Sequence, residues 1–68
     1  MTAKRPAPRL LRLPDVLQRV GLSKSTLYAR VRAGTFPKPL HLGTLSAWVE
    51  SEIDDWITAQ IAQRDQAA

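Results

Sequence analysis

Sixty-eight residues without a cysteine leave room for one hydrophobic core and exclude a separate catalytic domain, a disulfide staple and a thiolate metal site. The formal net charge of +4 is unevenly distributed: residues 1–49 carry nine Lys or Arg against the single acid Asp15, whereas residues 50–68 carry five acids against Arg64. Such segregation suits one surface that faces a polyanion and another that does not, although basic residues that merely keep a small domain soluble are an open alternative on charge alone.

The opening residues MTAKRPAPR lack the apolar run of a secretory signal, and no stretch of the chain approaches the ~18 apolar residues of a membrane span. The expectation is a soluble, cytoplasmic protein with no membrane partner. Residues 1–9, with Pro6 and Pro8 among small and basic residues, cannot bury enough apolar surface to fold and read as a flexible basic arm. Two roles are open for it: lying along phosphates or in a groove, or serving as a solubilising tail. The folded domain is placed at residues 10–66.

Leu10, Leu11 and Leu13 lead into the core, with a third strand over 11–13 as an option. Pro14 then occupies the first position of a helix, where its missing N–H costs nothing, and Asp15 favours the positive end of the helix dipole. Val16, Leu17 and Val20 share one side, and Gly21 provides the left-handed stop. The first helix is predicted over Pro14–Val20.

The next run, GLSKSTLYARVRAG, has Ser23 as N-cap and Leu22 spaced to meet Leu27 as a hydrophobic staple. Its second helix, about Ser23–Ala33, gives the core only Leu27 and Val31, surrounded by Lys24, Ser25, Thr26, Tyr28, Ala29, Arg30 and Arg32. Two short helices joined by a tight glycine-containing turn form a helix-turn-helix, whose second helix enters a DNA major groove. That accounts for a helix with so little to pack: its remaining faces are presented to double-stranded DNA.

Pro37 and Pro39 forbid helix and favour extended backbone before them. Leu40 and Leu42 flank His41, and beyond Gly43 and Thr44 a second extended run, Ser46–Val49, completes a β-hairpin. Ser51 and Asp54 have capping-box spacing, with Glu52, Asp54 and Asp55 in the first turn of a third helix. Ile53, Trp56, Ile57, Gln60 and Ile61 give that helix an apolar edge, with Trp56 read as a core residue.

The run LLRLPDVLQRVGLSKSTLYARVRAGTFPKPLHLG followed by WVESEIDDWI, about residues 10–62, resembles the AlpA family of prophage transcriptional regulators, relatives of excisionases and of MerR-type DNA-binding domains. GLSKSTLY, AGTFPKPLHLG and the Trp48–Glu52–Trp56 spacing are its most specific elements. The resemblance implies a mainly α fold with a small β-hairpin, a winged helix-turn-helix of MerR/excisionase type with residues 38–49 as the wing. It also implies a DNA-binding regulator of phage or mobile-element origin, with an integrase or RNA polymerase as conceivable partners. Similar proteins commonly place a basic residue just after the Leu-Gly turn; here Leu42-Gly43 leads into Thr44-Leu45-Ser46. Charge on this wing therefore falls to Lys38 and His41.

Helical projection puts Ser25, Ala29 and Arg32 opposite the Leu27/Val31 stripe, as readers of base edges. Arg pairs with guanine, and the methyl groups of Ala29 or Thr26 suit thymine. Lys24 and Arg30 flank the stripe as backbone grips. Tyr28 has two readings, a hydroxyl on phosphate or a ring packed on the wing or first helix, and Thr26 has the alternative of turning inward or bonding within the helix. The lone His41 has no second His or Cys for a metal site, no catalytic constellation is recognisable, and no cofactor is expected. One short recognition helix reads few base pairs, so a homodimer or cooperative assembly on DNA is expected. An excisionase-like DNA-bending factor and a protein-interaction module are the competing readings.

Overall fold

The computed structural model describes residues 8–67, arranged as β1 (Leu10–Arg12), α1 (Leu13–Val20), α2 (Lys24–Ala33), β2 (Leu40–Leu42), β3 (Leu45–Val49) and α3 (Glu50–Ala67). Residues 1–7 of the expected arm lie outside this range. Arg9 lies within it, and its carbonyl accepts the Glu50 amide at 2.7 Å, which ties the entry of the chain to the start of α3.

The hairpin of β2 and β3 is extended by β1 into an antiparallel sheet of order β1-β3-β2. Leu11 pairs with Trp48, and His41 with Ser46. The two-residue turn Gly43-Thr44 has positive φ only at Gly43 (64°), the pattern of a type II′ hairpin turn, whose twist matches that of the strands. The third strand thus begins one residue before the expected Leu11. Leu10 is exposed and gives nothing to the core, because strand alternation turns Leu11 inward and Leu10 and Arg12 outward.

Leu11, Val16, Leu27, Phe36, Trp48 and Ile53 form the buried core. Every element except β2 contributes, and the loop before β2 supplies Phe36. Burial of each Leu, Ile or Val side chain contributes about 1.5–3 kcal/mol, a large share of the net stability of ~3–5 kcal/mol usual for so small a domain.

Local signals set both ends of the first two helices. Gly21 (φ 72°) closes α1 with its amide on the Leu17 carbonyl at 2.8 Å, the single bond of an αL stop. At the end of α2, Gly34 (φ 80°) donates to Val31 and Thr35 donates to Arg30, the two crossed bonds of a Schellman motif.

The third helix departs from its sequence signals. It starts at Glu50, directly after β3, so Ser51 lies inside the first turn and makes no capping bond. The Asp54 carboxylate instead accepts from Arg19 at 2.7 Å, and Glu50 accepts from the same guanidinium at 2.6 Å. Asp54, expected to serve the helix dipole, therefore joins Glu50 in fastening α1 to α3. The apolar edge also ends sooner: Ile53 is buried, Trp56 and Ile57 are half-buried, and Ile61 is exposed, since α3 by then has run past the body of the domain.

Candidate nucleic-acid interface

Helix α2 is held from both ends and from beneath. Ser23, in extended conformation, accepts the Thr26 amide at 3.3 Å, and its hydroxyl donates to Thr26 Oγ1 at 2.9 Å. Of the two places for Thr26, the hydroxyl is therefore engaged in the cap while the residue stays exposed. Beneath, Leu27 is completely buried, with Val31 and Tyr28 half-buried around it. The Tyr28 ring stands tilted against Trp48, with centroids 6.3 Å apart, which is the packed reading of that residue.

The outward face of α2 includes the three residues that the projection puts opposite the stripe, Ser25, Ala29 and Arg32. Lys24, Ser25, Thr26, Ala29, Arg30 and Arg32 are all exposed. The salt bridges among the described residues are Arg19 with Glu50 and Asp54, and Arg64 with Asp65. Among the described residues, Lys24, Arg30, Arg32 and Lys38 thus make no salt bridge, although Arg30 shares a groove with Glu52 and Asp55. The amides at the start of α2 precede its first internal acceptor and add partial positive charge beside Ser25. An exposed basic face of this kind attracts anions and offers donors to phosphate and base-edge acceptors.

The wing is positioned by two tryptophans, Trp48 within it and Trp56 on α3. Trp48 Nε1 donates to the Pro37 carbonyl at 3.0 Å and Trp56 Nε1 to the Thr35 carbonyl at 2.8 Å. Phe36, between those acceptors, is buried with its ring edge-on to Trp56 at 4.8 Å. The link from α2 to β2 is therefore clamped at three successive residues. Sequence reading missed this clamp, because an indole in a small core announces its bulk and not the carbonyl it will find.

On the hairpin, register separates the residues. His41 and Ser46 share the face that carries Leu11 and Trp48, where the helices pack, whereas Leu40, Leu42 and Leu45 lie on the opposite face. His41 and Lys38 are both exposed, and strand alternation puts His41 on the same side of the sheet as α2. Arg19, counted with the basic residues in the sequence, is committed to α3.

No helix among the described residues is long and apolar enough to cross a membrane. Residues 9–61 match the family model described as Prophage CP4-57 regulatory protein (AlpA). The chain is 44% identical over 57 residues to an uncharacterized protein, ORF88, of Enterobacteria phage P4, in a match that covers 82% of this chain and 65% of the phage protein. It is 41% identical over 61 residues to the DNA-binding transcriptional activator AlpA of Escherichia coli strain K12, covering 79% of this chain and 87% of that protein. The chain thus spans just under two thirds of the phage P4 protein. No solved structure matches it.

Proposed function

Because this chain belongs to the AlpA family of prophage regulatory proteins, we propose that it regulates transcription by binding a specific DNA site with α2 in the major groove. The observation that carries the reading is the bare outer face of α2: Ser25, Ala29 and Arg32 are exposed, no acid pairs with Arg30 or Arg32, and the helix beneath them is fixed by Leu27 and its two caps.

Arg32 supplies a planar fork of donors for guanine O6 and N7, a pairing worth about 1–3 kcal/mol of discrimination. Ser25 and Ala29 bring a hydroxyl and a methyl to neighbouring base edges. Lys24, Arg30 and the amides at the start of α2 hold phosphates and set the depth of entry. Thr26 adds its methyl near the same end, and the Tyr28 hydroxyl reaches the backbone from a ring anchored on Trp48. Lys38 and His41 provide the weaker second grip of the wing. These roles rest on exposure, charge and helical position.

The test is fluorescence anisotropy with the DNA upstream of the protein's own coding sequence and a scrambled duplex of equal length, at two salt concentrations. Preference for the native duplex is expected, with affinity falling steeply with salt as ~4–6 phosphate contacts require. Equal binding to both duplexes, or binding to neither, refutes site-specific regulation by this chain.

A further inference from the structure

The outer face of the sheet has no partner in the domain. Register aligns Leu10 with Val49, Leu40 with Ala47 and Leu42 with Leu45 on that face; Ala47, on the central strand, is buried and Val49 half-buried, whereas the four leucines neither belong to the buried core cluster nor pack against it. Leu10, Leu40, Leu42 and Leu45 are 44%, 46%, 50% and 43% exposed and account for four of the five exposed large apolar residues. Arg12 is the only charged strand residue on the face, beside Ala47. The strand β2, which carries two of the four leucines, is also an open sheet edge.

We infer that this leucine face is a self-association surface, on which a second copy of the chain packs its own leucine face about a two-fold axis. Area and charge identify the occupant. Together the four leucines expose roughly the surface of two whole leucine residues, a few hundred Å² per copy, within the ~300–600 Å² of the largest apolar patch on a typical monomer, which is often functional. Two such patches facing each other reach well under the ~1,200 Å² of a stable interface. That fits a weak, reversible contact between copies of a small protein and not a permanent heterocomplex. With no acid on the face and Arg12 at its edge, a copy of the same surface meets it apolar against apolar, whereas a phosphate backbone would meet leucines. The two-fold arrangement is the self-complementary one, since each patch serves as its own partner.

The contact lies on the side of the sheet away from the helices, so it leaves the outer face of α2 free. In its consequence this rests on the DNA-binding reading: two copies bound side by side raise each other's effective concentration, which turns a weak contact into cooperative occupancy of adjacent sites. The contact itself does not depend on DNA and is tested without it.

Sedimentation velocity and a nitrogen-15 amide dilution series on the whole chain, from ~20 μM to ~1 mM, are the experiment, with Leu42→Gln/Leu45→Gln as the variant. The wild type is expected to associate with a Kd on the order of 0.1–1 mM, with dilution shifts concentrated over residues 10–12 and 40–49. The variant changes only exposed side chains; it should keep the wild-type circular dichroism and weaken association about tenfold or more. A wild type that stays monomeric throughout, association that survives the double substitution, or shifts that map to α3 overturns the inference. If the monomeric wild type binds duplex DNA and the variant binds about tenfold less, the leucines belong to the DNA contact instead. Because the deciding measurements contain no DNA, loss of this inference leaves the regulatory reading standing, and the reverse also holds.

Discussion

The indole Nε1 of Trp56 donates to the carbonyl oxygen of Thr35 at 2.8 Å, so a residue on α3 sets the path of the chain as it leaves α2. Together with the Trp48 bond to Pro37, this holds the wing and the second helix in one spatial relation. Trp56→Phe keeps most of the packing against Phe36 and removes only the donor. A loss of about 1 kcal/mol is expected, seen as a fall in Tm of roughly 4–8 °C. An unchanged melting curve would show that the bond contributes nothing.

Trp48 is completely buried and touches both ends of the architecture, Tyr28 on α2 and the Pro37 carbonyl. Truncation of such a residue costs about 3–5 kcal/mol, equal to the whole stability usual for a domain of this size. Trp48→Ala is therefore expected to be unfolded at 25 °C by circular dichroism, and a cooperative melt would contradict this.

Ser23 and Ser25 stand two residues apart and are expected to separate stability from binding. Ser23 caps α2 through the Thr26 amide, so Ser23→Ala should lower stability by about 1 kcal/mol while the preference for the native duplex is retained. Ser25→Ala combined with Arg32→Ala removes no side-chain hydrogen bond within the described residues. It should leave Tm within a few degrees and abolish discrimination between native and scrambled DNA, a loss of about 1–3 kcal/mol. Thermal melts and anisotropy on the same three proteins, wild type and both variants, decide both halves.

Arg19 bridges Glu50 and Asp54, with its side chain 38% exposed. Water screens a pair so placed, and Arg19→Gln should cost no more than about 1 kcal/mol. The difference in Tm between wild type and variant should shrink as salt is raised. A difference that is constant with salt would mean that the side chain acts through packing alone.

Much of this protein was legible in its sequence because its decisive signals are local. Ser23, Gly21 and Gly34 act within a turn of their own position, by capping an amide or by adopting a left-handed φ. The sparse apolar stripe of α2 likewise identified, by spacing alone, the face that remains exposed. The run from GLSKSTLY to the Trp48–Glu52–Trp56 spacing was enough for the family.

What only the tertiary structure decided are matters of distance between residues far apart in the chain. Asp54 had a local reading as half of a capping box, but Arg19, 35 residues earlier, offers it a charged partner, and a guanidinium binds a carboxylate more strongly than a hydroxyl or an amide does. The Thr35 and Pro37 carbonyls became acceptors because folding brought two indoles to them. Leu10, Leu40, Leu42 and Leu45 all have the composition of a core, yet the sheet has two faces and the helices cover one. Hydrophobicity names the residues that avoid water, whereas strand register, set when β3 pairs with both neighbours, determines which of them are sheltered within the domain.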